Sequence, residues 1–131
     1  MIITNQTKKF LLIASFMMAI AIMIGAFGAH GLKPYLDEYG TTIFTKASNY
    51  QFYSTLGLFC IAIISSFINQ DNKIAISYYL VLIGMLIFSF SLYILAISKI
   101  MWLGAITPIG GSLMIIGWLL LTYTIYKDMR L

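Results

Sequence analysis

Four apolar runs, separated by polar stretches, constrain this chain more than any other feature. They cover about residues 10–29, 52–68, 74–97 and 103–126. A helix needs roughly 20 apolar residues to cross a hydrocarbon core of about 30 Å, and each run meets or approaches that length. Only 9% of the 131 residues are charged, against about 25% in soluble domains. The sequence predicts one all-α domain, 1–131, an integral membrane four-helix bundle.

The first run has two interpretations. Lys8 and Lys9 precede it, and Ala26-Phe27-Gly28 resembles the cleavage site of a secretory signal peptide. The apolar core of a signal peptide is usually about 7–15 residues long. Because this run is longer, we expect a true first span.

A polar stretch over about residues 32–50 separates the first two runs. Its apolar residues recur at steps of three and four, namely Leu32, Leu36, Tyr39, Ile43, Ala47 and Tyr50. This spacing predicts an amphipathic helix lying at the membrane interface, or folding back over the mouth of the bundle. Pro34 suits a first helical position, and Gly40 is expected to divide the segment into two short helices.

The remaining connections, "NQDNK" (69–73) and "SKIMW" (98–102), are short. Short loops make neighbouring spans antiparallel, so four spans place both termini on one side. That side carries Lys8, Lys9, Lys73, Lys127 and Arg130, and the other carries Lys33, Lys46 and Lys99. The positive-inside rule then predicts a multi-pass protein of the inner membrane with both termini in the cytoplasm. The tyrosines expected to form a cytoplasmic aromatic belt are Tyr78, Tyr79, Tyr123 and Tyr126.

Small residues recur at helical spacing in three of the runs. Transmembrane helices associate largely by close packing at such residues. The rows are Ala21, Gly25 and Ala29; Ser77, Gly84, Ser91 and Ser98; Gly104 and Gly111; and Gly110 and Gly117. They predict a packed bundle, and one of them is alternatively a face for self-association or for a larger partner.

The stretch "TPIGG", Thr107 to Gly111, contains Pro108, which has no amide hydrogen and clashes with the preceding helical turn. Three structures are compatible with it. The fourth span kinks here, or the helix begins at Pro108, or a broken helix with Gly110 and Gly111 presents free N–H groups to a ligand.

The stretch "GAFGAHG" (25–31) ends the first run with the only histidine of the chain. Gly25, Gly28 and Gly31 allow another backbone to come close, and Gly31 can serve as a C-cap. His30 is then a structural cap, hydrogen-bonded to Tyr50, Gln51 or Tyr53. The alternative is a functional role as proton carrier or ligand.

Several familiar features are absent from the sequence. The four acidic residues lie in loops or the tail, and the histidine and the cysteine are single. No catalytic, cofactor-binding or metal-binding constellation is visible. The basic residues stand singly or in pairs, which suits lipid head groups better than nucleic acid.

Five stretches together resemble a known family. "GAFGAHGLK" (25–33), "YQFY" (50–53), "FSFSLY" (88–93), "WLGAITPIGG" (102–111) and "GW" (117–118) are similar to the bacterial domain-of-unknown-function family 423. Its eukaryotic relatives are called transmembrane protein 256. The resemblance implies a small four-helix inner-membrane protein and no established activity.

Two departures from the family pattern stand out. The family commonly has a second histidine where this chain has Ser54, and a glycine where it has Phe90. If the two histidines form a shared metal or proton site, this chain has lost half of it, which favours a structural His30.

Three functions are compatible with these observations. The first is a non-enzymatic accessory component that packs with itself or with a larger membrane complex. The second is an oligomeric transporter or channel for a small solute or lipid. It would use a helix break at "TPIGG" and His30 at the mouth of the first span. The third is a lipid or quinone enzyme with His30 as acid or base, for which only Asp37 and Glu38 could orient the imidazole.

Overall fold

The computed structural model describes residues 3–68 and 72–128. Within these ranges the protein is built from helices and turns, with no strand. The four α-helices are α1 (Asn5–Phe27), α2 (Glu38–Ile64), α3 (Asn72–Ser98) and α4 (Thr107–Asp128). A π-helical turn, Gly28–Leu32, and a 3-10 turn, Lys33–Tyr35, follow α1, and a 3-10 turn, Met101–Ala105, precedes α4. The predicted all-α class is confirmed.

Each helix packs chiefly on its neighbours in the sequence, α1 on α2, α2 on α3 and α3 on α4. Successive helices run in opposite directions. In α1, Gly25 faces Ser48 while the later Gly28 faces the earlier Phe44. This up-and-down arrangement is the one that short connections predict.

Three helical segments of the described chain are long and apolar enough to cross a membrane: Asn5–Tyr35, Asn72–Ser98 and Met101–Asp128. Helix α2 has 27 residues, or about 40 Å, so its length suffices but its composition does not. Gln51, Ser54 and Thr55 interrupt its apolar sequence, and all three are buried. The bundle therefore shields these three polar side chains of α2 from lipid.

The predicted amphipathic segment is not a separate element. Residues from Glu38 onward form one uninterrupted helix with the second apolar run, so the expected break at Gly40 is wrong. The Gly40 N–H donates to Oδ1 of the N-cap residue Asp37 at 2.7 Å. Gly40 thus lies in the first turn of α2, where a Cβ would come within 3.1 Å of the Ala96 carbonyl oxygen. Its small size serves the close approach of α3.

Glycines set the distance between α3 and α4. A Cβ on Gly84 would lie 2.7 Å from the Gly110 carbonyl oxygen, and one on Gly110 would lie 2.5 Å from the Phe88 nitrogen. A Cβ on Gly117 would lie 3.1 Å from the Ser77 carbonyl oxygen. The predicted packing of these helices at small residues is confirmed.

The interior has two apolar clusters, one toward each end of the bundle. Phe10, Leu58 and Val81 lie in the cluster nearer the termini, and Phe44 and Leu92 lie in the other.

One tyrosine of the expected aromatic belt belongs to the interior instead. Tyr78 is fully buried, and its ring stacks on Phe10 with centroids 4.0 Å apart. Its hydroxyl donates to the Phe10 carbonyl oxygen at 2.7 Å. Tyr78 is therefore not part of the predicted belt. Helical spacing alone does not distinguish a tyrosine that faces lipid from one that points inward.

Candidate functional site

The glycine-rich end of α1 winds into a wider turn rather than stopping. The Gly28 N–H bonds to the Ile24 and Gly25 carbonyls, and the π-helical turn continues to Leu32. No described glycine has a positive φ, so the expected C-cap at Gly31 is not formed. Such π-helical turns are frequent at functional sites.

Gly28 lets α2 pack closely against the end of α1. It is buried, and a Cβ there would overlap the Phe44 ring. Gly25 is less tightly enclosed, since its Cβ would lie 3.4 Å from Ser48 Oγ. A Cβ on Gly31 would meet only the Phe27 ring of its own turn.

His30 is exposed and makes no hydrogen bond within the described residues. The expected bonds to Tyr50, Gln51 or Tyr53 are therefore absent from this part of the chain. The reason is geometric: the side chains of the "YQFY" stretch are engaged with each other and with α3, farther along α2 than the level of His30.

Gln51 belongs to a buried polar pair instead. The Tyr93 hydroxyl donates to Gln51 Oε1 at 2.6 Å, and Gln51 is 0% exposed. Its Nε2 has no hydrogen-bond partner among the described residues. Nothing in the sequence pairs these residues, because Tyr93 lies on another helix.

The "TPIGG" stretch begins α4. Thr107 is the first residue of the helix and Pro108 lies in its first turn, where a missing N–H costs little. Of the three interpretations, helix start is correct, and the kink and the broken helix are wrong. The Thr107 hydroxyl bonds to Ser91 Oγ at 2.7 Å, which ties the start of α4 to α3.

The structure brings three of the predicted residues, Tyr50, Tyr53 and Gly111, into one groove between α2, α3 and α4. This aromatic groove has a volume of about 510 Å³. Its lining consists of Tyr50, Tyr53, Ser54, Phe88, Gly111, Met114, Ile115 and Trp118. The Tyr50 and Phe88 rings lie 4.7 Å apart. Four of these residues are aromatic, and their convergence requires the tertiary fold.

A second opening, of about 330 Å³, lies between the end of α1 and the first half of α2. We call it the polar cleft. Its lining consists of Gly25, Gly28, Ala29, Lys33, Leu36, Thr41, Thr45, Ser48 and Asn49. Thr41, Thr45 and Asn49 lie between the apolar positions of this segment in the sequence, and no sequence signal showed that α1 would lie beside them.

An ion pair lies at the same end of the bundle. The Asp37 carboxylate is 2.9 Å from Lys99 Nζ, and it accepts the Gly40 N–H. This hydrogen bond first, and the Lys99 ammonium second, hold the pKa of Asp37 below its ordinary value of 3.8. The pair joins the α1–α2 and α3–α4 connections.

The two positions at which the family commonly has histidine lie far apart. Gly28 contacts Phe44, which puts His30 near the level of Phe44 on α2. Ser54 is ten residues farther along, or about 15 Å. The two positions therefore cannot share one metal ion. Residues 3–68 and 72–128 also contain no group of three His, Cys, Asp or Glu side chains that could hold one.

The fold and its apolar helices define a small polytopic α-helical membrane protein. The family described as "Protein of unknown function (DUF423)" matches residues 24–111. The chain belongs to this family, as the five stretches indicated.

The chain is also similar to bacterial proteins along almost its whole length. It is 42% identical over 120 residues to a UPF0382 membrane protein of Staphylococcus haemolyticus, covering 92% of this chain and 97% of that protein. It is 33% identical over 120 residues to the UPF0382 membrane protein YwdK of Bacillus subtilis, covering 92% and 98%. No solved structure matches the chain.

Proposed function

We propose that this protein is a non-enzymatic accessory component of the cytoplasmic membrane, and that its aromatic groove receives a transmembrane helix of a larger complex. Three of the small residues that could have served self-association are enclosed within the chain. Gly84, Gly110 and Gly117 all lie in the α3–α4 contact. The aromatic groove, which lies beside this contact, is the surface that we assign to the partner.

The proposal rests on the position of two polar groups in the groove, the Tyr53 hydroxyl and the Trp118 indole N–H, which lie deep in the span rather than at a membrane interface. Tyr53 is 64% and Trp118 38% exposed. Trp118 lies eleven residues into α4, about 16 Å along a helix of about 33 Å. Tyrosine and tryptophan favour the two interfaces of a membrane, because lipid chains offer no hydrogen-bond partner at the middle.

These two side chains have no hydrogen bond to the described residues. A partner helix that carries a carbonyl or hydroxyl acceptor would satisfy the indole N–H and the phenol O–H, and would cover their rings. This explains why a groove facing the bilayer keeps polar tips.

The test is purification of the tagged full-length chain from native membranes in mild detergent, with mass spectrometry of the proteins that accompany it. We expect a stoichiometric membrane protein. The double variant Tyr53→Phe with Trp118→Phe removes the polar tips and should lose that partner. The control Tyr126→Phe, on a side chain that is 88% exposed near the end of α4, should retain it. A strictly monomeric protein without a partner, or a partner retained by the double variant, would contradict the proposal.

The second candidate is an oligomeric transporter of a small solute or lipid, which the polar cleft favours. Its lining reaches Asn49, eleven residues into α2. Uptake or leak in liposomes that contain only the purified protein would support it. Liposomes that stay tight while the partner complex is intact would support the accessory role.

The proposal assigns no catalytic residue and no cofactor. His30 is exposed, and the ion pair with Lys99 already occupies Asp37. A His30→Ala variant should therefore behave as wild type in a cell-based assay of the deletion phenotype. Loss of function in that variant with a normally folded protein would favour the enzyme hypothesis.

A further inference from the structure

The polar cleft lies at the depth of lipid head groups. Helix α2 is about 40 Å long, whereas the hydrocarbon core is about 30 Å thick. About 10 Å of α2 must therefore lie outside the core, and this is the polar N-terminal end that Asp37 caps. Thr41 then lies in the interfacial layer, Thr45 at its boundary, and Asn49 just below it.

The mouth of the cleft carries an ammonium group. Lys33 lines the cleft and is exposed, and it forms no ion pair within residues 3–68 and 72–128. The nearby Asp37 is already paired with Lys99 at 2.9 Å. Glu38, at the start of α2, and Lys46, beyond Thr45, are exposed and lie outside the lining. The cleft itself is therefore cationic.

The wall formed by α2 offers hydrogen-bonding groups to a ligand. The side chains of Thr41 and Asn49 make no hydrogen bond to the described residues. The Thr45 hydroxyl donates to the Thr41 carbonyl oxygen at 2.8 Å and keeps its acceptor capacity. Ser48, near Asn49, also lines the cleft.

One helical turn beyond Ser48, α2 carries a buried amide donor that has no partner among the described residues. Tyr93 donates to Gln51 Oε1 at 2.6 Å, while Gln51 Nε2 has no partner among the described residues. Gln51 follows the lining residue Ser48 by one helical turn but does not itself line the cleft, and buried amides without a partner are rare and costly.

We propose that the polar cleft binds the phosphate head group of an anionic phospholipid. The Lys33 ammonium pairs with the phosphate, Thr41 and Asn49 donate to the phosphate and glycerol oxygens, and the acyl chains lie along the lipid-facing side of α1. A phospholipid fits better than free phosphate, since the polar wall continues for about 12 Å from Thr41 to Asn49 toward the hydrocarbon. This site is independent of the aromatic groove and of any protein partner.

The experiment counts phosphatidylglycerol molecules bound to the purified full-length protein by native mass spectrometry, in a detergent with an uncharged head group. We expect Lys33→Gln to weaken binding by about five-fold, the effect of one lysine at a membrane surface. The matched control is Lys46→Gln, which removes an equal charge from the same end of the bundle but outside the lining.

A second pair of variants tests the hydroxyl wall without a change of charge. Thr45→Val keeps the shape of the cleft and should lower the bound fraction. Thr42→Val is its control, because the Thr42 hydroxyl bonds to the Glu38 carbonyl oxygen at 3.0 Å in the same way but lies outside the lining. This pair keeps the proposal testable if Lys33→Gln fails to fold.

The outcomes separate the sources of the phosphate. Reduced phosphatidylglycerol binding in the two cleft variants, with unchanged binding in both controls, supports the site. Equal losses in Lys33→Gln and Lys46→Gln would overturn it, since binding would then follow surface charge alone, and so would equal losses in Thr45→Val and Thr42→Val. Phosphatidylcholine bound as strongly, or inorganic phosphate displacing the lipid at equal concentration, would overturn the assignment to an anionic lipid.

Discussion

At the scale of single residues, adjacent glycines of α4 have different roles. Gly110 is enclosed by the backbone of α3, at 2.5 Å from the Phe88 nitrogen to its ideal Cβ. Gly111 faces the aromatic groove, and its nearest contact would be the Phe88 ring at 3.7 Å. A Cβ at position 110 would meet backbone atoms, which cannot move aside as the end of a side chain can. Of these two glycines, only Gly110 is therefore required for the crossing of α3 and α4.

Gly110→Ala should therefore destabilise the fold while Gly111→Ala does not. We expect a loss of about 1–3 kcal/mol for the first, as for other insertions into tight cores, and no loss for the second. Thermal unfolding of the two purified variants in the same detergent measures the difference. Equal stability of the two would show that α3 and α4 cross farther apart.

Asp37 should make stability depend on pH in the acidic range. The Gly40 N–H and the Lys99 ammonium lower the pKa of this carboxyl from 3.8. A carboxyl with a lowered folded pKa stabilises the fold fully above its unfolded pKa, and this stabilisation is lost as pH falls through the folded pKa. We expect the loss to begin near pH 3.8 and to grow below it.

Asp37→Asn still accepts the capping hydrogen bond but does not titrate. Unfolding midpoints measured from neutral pH downward should lack this acidic component in the variant. Glu38→Gln, on an exposed neighbour, should keep it. An unchanged pH profile in Asp37→Asn would exclude Asp37 as its source.

Residue patterns predicted some of these contacts and missed others, for physical reasons. The spacing of Gly110 and Gly117 predicted a packing seam, because a row of small residues on one helix can be recognised from their spacing in the sequence. The partner of Gln51 was not visible, since many polar side chains could have reached it. The expected hydrogen bond from His30 to the "YQFY" stretch is absent because α1 carries His30 past the level of that stretch.

At the scale of elements, α2 lies between α1 and α3. It contacts both α1 and α3, and it carries polar residues inward on the side where Ser89 Oγ donates to the Ala47 carbonyl oxygen at 2.9 Å. Its apolar end was predicted as a span and its polar end as a surface segment. The pattern could not show that one helix joins them, since a glycine in a capped first turn resembles a break.

The α2–α3 polar pair should behave non-additively. Tyr93→Phe leaves the Gln51 amide wholly without protein partners, and we expect it to cost about 0.6–2 kcal/mol. Gln51→Leu in the same chain removes the stranded amide, so the double variant should regain most of the loss. A double-mutant cycle on unfolding free energies measures the coupling. Additive losses would show that the two side chains do not interact.

At the scale of the whole molecule, ion pairs link different helices at both ends of the bundle. Asp37 and Lys99 lie 2.9 Å apart at one end, and Lys73 and Asp128 lie 3.0 Å apart at the other. The alternating helices place the start of α1 and the end of α4 at the second end. The predicted cytoplasmic position of that end rests on its excess of lysine and arginine in the sequence.

Single-cysteine labelling in intact cells tests this orientation. Cys60 is exposed, so the background is Cys60→Ser. A cysteine at Tyr35, which is 80% exposed, should react with a membrane-impermeant thiol reagent. A cysteine at Asn5, at the opposite end, should react only after the cells are opened. The reverse pattern would overturn the predicted topology.

The inward polarity of α2 has a consequence for biogenesis. A nascent helix with Gln51, Ser54 and Thr55 in its middle partitions poorly from the translocon into lipid, because polar residues at a helix centre oppose insertion. Helix α3, the most apolar of the three qualifying segments, supplies the partners of Gln51 and Thr55 and emerges immediately after α2. We expect α1 to leave the translocon alone, whereas α2 waits there and enters the bilayer as a hairpin with α3.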